Sequence, residues 1–278
     1  EMVSCDWSSD VCSSDLEMTA LAVSAFLTFP VQVQDGRDRI ETSAKIVREI
    51  PLEVFLDGRR MGTIACSGLH PEELALGFLR AEGLLEDRRE LTRIETDAGG
   101  RVVRVHRRRE TAAPAVAPEG QTIGSSGARG LGLAASPAPL HDIDLAVTPA
   151  QVLALMDVLL NGSAIHNLTH GTHCSALATP EGIAVLREDI GRHNTLDMLG
   201  GYMFLNDIPG RGRILLTTGR VSAEIVQKVW RLGVPILISH SAPTSRALEL
   251  LAEAGITLIG FVRGGRMNLY TEGKRVIR

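Results

Sequence analysis

Apolar positions recur with a two-residue period along the front of the chain and alternate between strand-like and helix-like periods along the back. From Glu49, "EIPLEVFLDGRRMGTIACS" places two alternating runs on either side of Asp57-Gly58, the strongest short-range mark of a hairpin. "HPEELALGFLRAEGLL" then changes to helical spacing. Pro71 suits the first helical position, Glu72 and Glu73 the first turn, Leu74, Phe78 and Ala81 share a face, and Gly83 supplies a stop. "LTRIETDAGGRVVRVHRRR" predicts a second hairpin, whose return strand alternates Val103 and Val105 with Arg104 and His106. Arg107, Arg108 and Arg109 close it as a charged, self-protecting edge.

Residues 111–147 are rich in Ala, Pro, Gly and Ser and predict a flexible connection. Helical order resumes at Thr148, a capping residue before Pro149, with Val152, Leu155, Met156 and Leu159 on one face. Beyond Asn167, "CSALATPEGIAVLRED" reads as a hairpin and "RHNTLDMLGGYMFL" as a helix. "RILLTTG", "VPILISH" and "ITLIGFV" follow as buried strands separated by two further helices, with "RMNLYT" as a short last strand. The order β-β-α-β-α-β-α-β-β predicts an α/β sheet covered on both faces in which parallel pairing dominates. The division expected is a β-rich region with one helix over 17–110, the loop over 111–147, and an α/β domain over 148–278.

With 44% hydrophobic and 22% charged residues the chain has the balance of a globular protein, and its net charge of -4 offers no global attraction to nucleic acid. Any anion site must therefore be local. Lysine occurs only at Lys45, Lys228 and Lys274, so positive charge rests on arginine, which suits bidentate recognition of phosphate or carboxylate. Cys5, Cys12, Cys66 and Cys174 show no C-x-x-C or paired spacing, which fits a reducing cytoplasm better than a disulfide framework. No apolar run approaches the roughly 18 residues of a membrane span, and acidic Asp15 and Glu17 before "LAVSAFLTF" read against a signal peptide. The opening "VSCDWSSDVCSSDL" repeats Ser-Ser-Asp without structural periodicity and resembles a translated adapter, so residues 1–16 are set apart and a native start is expected near or beyond Met18.

Ligands of open α/β sheets lie beyond the carboxyl ends of the strands. There the sequence gathers Glu188, Asp189, Arg192, His193 and Asn194, then Thr217, Thr218, Gly219, Arg220 and Ser222. Ser239, His240, Ser241 and Thr244 follow the next strand, and Arg263, Gly264, Gly265 and Arg266 the last. Small residues and free backbone N–H groups at successive helix starts, with arginines beside them, predict a cleft for a phosphorylated or nucleotide-like molecule. Glu188 and Asp189 have an alternative reading as a structural network with Arg192 and Arg220. His170, His173 and Cys174 invite a metal, but the H-x-E and P-C-x-x-C pattern of a zinc deaminase is absent and no metal is expected.

Taken together, "LEVFLDGRRMGTIACSGLHPEELALGFLRAEGLL", "THGTHCSALA", "EDIGRHNTLDMLGG" and the block from "LTTGRVSAE" to "NLYT" resemble the formate dehydrogenase accessory sulfurtransferase family, FdhD, over about Glu49 to Thr271. The resemblance implies a cytidine-deaminase-like three-layer α/β fold, usually a cytoplasmic homodimer. It implies passage of sulfur from a cysteine desulfurase to the molybdenum cofactor, bis-molybdopterin guanine dinucleotide, for formate dehydrogenase. It also implies a cofactor-binding stretch at Phe261, Val262, Arg263, Gly264, Gly265 and Arg266, and that the strand-end cleft read above, with Gly219, Arg220, Ser239, Ser241, Glu188, Asp189, Arg192, His193 and Asn194, holds the guanine dinucleotide part.

One departure concerns the chemistry itself. The family carries its persulfide cysteine in the central loop, and here the 123–132 stretch reads "SSGARG" at its heart, with Ala128 or its neighbour where sulfur should sit. Neither a hydroxyl nor a methyl can hold a transferable sulfane sulfur, which needs a thiolate. Three expectations follow. Another cysteine serves, Cys174 beside His173 or Cys66 after the first hairpin; or the chain binds and delivers the cofactor without transferring sulfur; or it processes a nucleotide with His193 and Asp189 as an acid-base pair.

Overall fold

The fold is given by a computed structural model that describes residues 25–108, 122–123, 137–271 and 273–277. The adapter-like start and the loop around Ala128 lie outside the described residues. A two-stranded ribbon comes first, β1 (Phe26–Asp35) and β2 (Asp38–Val47), paired antiparallel about Gly36. The sequence signal was present in Asp35-Gly36 and in the alternation of Leu27, Phe29, Val31 and Val33.

β3 (Ile50–Leu56) and β4 (Arg59–Cys66) form the expected hairpin, with Asp57 and Gly58 both at positive φ as its tight turn requires. β5 (Leu91–Thr96) and β6 (Val102–Arg107) form the second. With β7 (Thr122–Ile123) they make one sheet in the order β5-β6-β3-β4-β7. Helix α1 (Pro71–Ala81) covers this sheet, burying Leu74, Phe78 and Leu79 with Leu52, Val54, Val103 and Val105. Met198 and Phe204 from the second half join the same core, so the two halves share apolar surface.

The second sheet runs β13-β12-β11-β10-β8-β9. Its members are β8 (His173–Thr179), β9 (Gly182–Asp189), β10 (Ile214–Thr217), β11 (Ile236–Ser239), β12 (Thr257–Arg263) and β13 (Arg266–Leu269). Parallel pairing does not dominate it. Only β10 with β11 and β11 with β12 are parallel, while the other three neighbours are antiparallel. The cause is β8, which lies between β9 and β10 and keeps those two co-directional strands from pairing.

Both faces are covered, as the continuous apolar strands predict. Ala176, Ile214, Leu216, Ile236, Ile238 and Ile259 face α2 (Pro149–Gly162). Leu177, Leu215, Leu237 and Leu258 face α4 (Arg192–Leu205), α5 (Ala223–Leu232) and α6 (Ser245–Ala254). The short α3 (Ala164–Thr169) leads from α2 into β8. No helix among the described residues is long and apolar enough to cross a membrane.

Candidate functional site

The register aligns the ends of the second sheet into one rim. Thr217 pairs with Ser175 on one side and Ser239 on the other, and His173 pairs with Asp189. The loops beyond are stitched by main-chain bonds: His240 N to Thr217 O at 3.0 Å, Val221 N to Ala242 O at 3.2 Å, Thr244 N to Val221 O and Phe261 N to Ser241 O at 2.9 Å each. Arg220, Ser241 and Arg266 therefore belong to connected loops on one edge of the sheet.

Several residues expected to meet a ligand are spent on holding that edge together. Asp189 is fully buried and accepts from Ser67 N (2.8 Å), Ser67 Oγ (2.7 Å), Gly191 N (3.0 Å) and Asn194 Nδ2 (2.6 Å). Asn194 also donates to Ala65 O at 2.8 Å. Glu188 accepts from Ile165 N, His166 N and Thr172 Oγ1, closing the start of α3. Ser239 Oγ donates to Gly219 O and accepts from Ser241 N, while Gly219 packs against Arg192, and Val262 lies in the core. The network is structural, but its partners are hydroxyls and amides, not Arg192 and Arg220. The acid-base pairing of His193 with Asp189 fails for the same reason.

What stays open to solvent is basic and aromatic. Arg220, Arg263 and Arg266 are exposed, and none has an ion pair among the described residues. Phe261 has φ +56, a left-handed backbone that a bulky side chain rarely adopts, at a break in the β12–β13 register. The conformation turns its ring outward, and the Arg263 guanidinium lies 3.6 Å from the ring centre. Gly264 and Gly265, also at positive φ with open space where a Cβ would stand, complete a turn that lets a ligand reach the main chain.

A second group joins Arg192, His193 and Ser222, all singled out in the sequence, to Glu224, which was not. Among the described residues, the buried side-chain polar atoms without a hydrogen-bond partner are Arg192 Nε, both ring nitrogens of His193 and Ser222 Oγ. They sit where α4 and α5 begin side by side, and neither helix has a side-chain cap. His193 Nε2 lies 3.1 Å from Glu224 Oε2, near enough for attraction but off the line of a hydrogen bond. Desolvation, reinforced by Lys228, Arg192 and His173, pushes the His193 pKa down to about 3, so its ring is neutral. Unspent buried polar atoms cost free energy, so their gathering at the rim makes it a candidate site for a ligand or an ordered water.

Neither described cysteine has the surroundings of a sulfur carrier. Cys66 and Cys174 are 0% and 1% exposed, and burial pushes each thiol up to about 12. The imidazolium expected to activate Cys174 is missing as well, because desolvation and then Arg192 hold His173 below the ordinary histidine value. At neutral pH both therefore stay protonated thiols, not the nucleophilic thiolate.

A cavity of about 540 Å³ opens at the other end of the sheet, beside Asp142, Tyr270 and Arg275. Its guanidinium spends all five N–H groups on Ile143 O, Gly255 O, Thr257 Oγ1, Leu140 O and His141 O. The rim keeps free donors, and so it is the better candidate.

Comparison with known proteins agrees on one family. The FdhD/NarQ family profile matches residues 47–277. The "Sulfur carrier protein FdhD" of Halalkalibacterium halodurans is 36% identical, covering 84% of this chain and 88% of that protein. That of Bacillus subtilis is 35% identical, covering 84% and 90%. A crystal structure described as a formate dehydrogenase accessory protein from Desulfotalea psychrophila shares the fold, with TM-score 0.75, 24% identity and coverage of 91% of this chain and all of that one. By the length of these matches and the identity within them, the chain belongs to the FdhD/NarQ family.

Proposed function

We propose that this chain acts in formate dehydrogenase maturation by holding the guanine dinucleotide arms of the molybdenum cofactor along the rim, as a binding and delivery module. The observation that carries the reading is the exposed arginine set, Arg220, Arg263 and Arg266, without an ion pair among the described residues and beside the outward ring of Phe261. Guanidinium groups and the main chain of Gly264 and Gly265 suit a pyrophosphate, and the aromatic face suits a planar ring. The cofactor, bis-molybdopterin guanine dinucleotide, is cargo in this scheme. A cysteine desulfurase upstream, a formate dehydrogenase downstream, a homodimer and a cytoplasmic setting belong to the same proposal. Relatives named as sulfur carriers support the general role.

Arg266→Ala is expected to weaken GDP binding by about 1.5–3 kcal/mol, the range for losing a hydrogen bond to a charged group. Arg266 is exposed, so stability should hold while affinity falls. Calorimetry that finds GDP bound equally well by the variant contradicts the placement.

Sulfur transfer through a described cysteine is the competing scheme, and burial speaks against it. After incubation with a desulfurase and cysteine, peptide mass mapping should find no added sulfur on Cys66 or Cys174. A persulfide mapped to Cys66 or Cys174 overturns the delivery reading in favour of transfer.

A further inference from the structure

We propose that Glu224, with Arg192, His193 and Ser222, reads the hydrogen-bonding edge of a 2-amino-4-oxopyrimidine ring, the heterocycle that guanine and pterins share. The inference rests on the nucleotide-binding reading above and adds to it a specificity residue.

The balance of charge around these side chains separates them from the arginine strip. The single charges of Arg192 and Glu224 offset each other in number without forming an ion pair, and Lys228 forms a buried pair with Asp197, neutral in sum whichever group holds the proton. His193 adds no charge. His193 and Asp197 stand four residues apart on α4, Glu224 and Lys228 four apart on α5, so the two pairs form successive rungs between the helices. A patch with zero net charge does not attract phosphate, unlike Arg220, Arg263 and Arg266. It suits a neutral polar ring.

The donor and acceptor inventory narrows the ring further. Glu224 has two acceptor oxygens, is 48% exposed in its side chain, and its one ion-pair distance is to the neutral, misaligned His193. Arg192 Nε is a pure donor, while Ser222 Oγ and the His193 nitrogens can give or accept. A carboxylate beside a donor matches an edge that presents two adjacent N–H groups followed by a carbonyl. Guanine and pterin carry that edge. Adenine presents an acceptor next to a single amine and would leave the carboxylate facing a lone pair. A carboxylate without a cationic partner among the described residues, at a rim otherwise set with arginines, finds its use in this recognition.

Calorimetric titration of the full chain with GDP, IDP, XDP, ADP and neopterin tests the assignment. GDP should bind about tenfold or more tightly than IDP, which lacks the 2-amino group, and ADP more weakly still. Glu224→Gln should shrink the GDP preference over IDP and improve XDP relative to GDP, with an unchanged Tm because the side chain is half exposed. Ser222→Ala should weaken GDP, IDP and XDP together and leave ADP alone. Neopterin binding with GDP and IDP indistinguishable keeps the edge recognition and assigns it to the pterin. Equal GDP, IDP and ADP affinities with no neopterin binding overturn the proposal while leaving the phosphate site standing. If no nucleotide or pterin binds, the cofactor reading itself fails and this subsite falls with it.

Discussion

Gly201→Ala should destabilise the protein by about 3 kcal/mol, the upper end of ordinary overpacking. Helices α1 and α4 cross backbone to backbone, and the glycines at the crossing leave no room for a methyl group. A Cβ on Gly201 would stand 2.6 Å from the carbonyl carbon of Glu73 and closer still to its oxygen. From the other side, a Cβ on Gly77 would come within 2.8 Å of Asp197 Cα. Main-chain atoms cannot rotate aside as a side chain can. Sliding α1 away is resisted too, because the Glu73 carboxylate is gripped by Arg187 through Nε (2.6 Å) and Nη2 (2.7 Å). Gly200 provides the control, since its added methyl would meet only Leu232 Cδ2 at 3.2 Å and, at 3.8 Å, Gly77 Cα. There the better helix propensity of alanine, about 1 kcal/mol, offsets the crowding. Urea titrations of the two variants should separate by several kcal/mol against a total stability of roughly 5–15. Because α4 carries Arg192 and His193 at its start, Gly201→Ala should also lose GDP binding. Equal midpoints for Gly200→Ala and Gly201→Ala would show that the helices do not meet as closely as the structure has them.

Period and turn chemistry made most elements legible. Asp57-Gly58 set one hairpin, Thr148-Pro149 set the start of α2, and the later strands stood out as apolar runs between helices. Pairing order was another matter. An apolar run reports that both faces are buried but not which strand lies beside it, so the place of β8 between β9 and β10 was hidden. The site divided along a similar line. Arginines after strand ends were legible because few structural reasons keep guanidinium groups unpaired at a rim. Asp189, Glu188, Asn194 and Ser239 were ambiguous, because a polar residue at a strand-helix junction looks the same whether it meets a ligand or ties one loop to another. Ser222 and Glu224 open α5 with an ordinary helix-start pattern. Their significance lies in hydrogen bonds not made, which no one-dimensional pattern records.

Asp189→Asn should cost about 2–4 kcal/mol, although it changes only one heavy atom. Each Asp189 oxygen accepts two hydrogen bonds, Oδ2 from the amide and hydroxyl of Ser67, and Oδ1 from Gly191 N and Asn194 Nδ2. An asparagine must turn its amine toward one of these donor pairs. Two bonds to a charged acceptor are then lost, worth about 1.5–3 kcal/mol each, partly offset because a neutral amide is easier to bury. The same balance sets the pH dependence. Burial raises the Asp189 pKa above the ordinary carboxylate value even against those four donors. Between the unfolded value and this higher folded one, the native state binds more protons, so the group adds stability as pH falls through its folded value. Asparagine has no such gain, and the gap between parent and variant should widen toward acid. Ser67 follows β4 and Gly191 precedes α4, so this carboxylate fastens the first sheet to the helix that presents Arg192 and His193. Denaturant unfolding at neutral and mildly acid pH is the decisive measurement. A gap that closes toward acid would mean that Asp189 stays ionised in the folded chain, with its four donors outweighing burial.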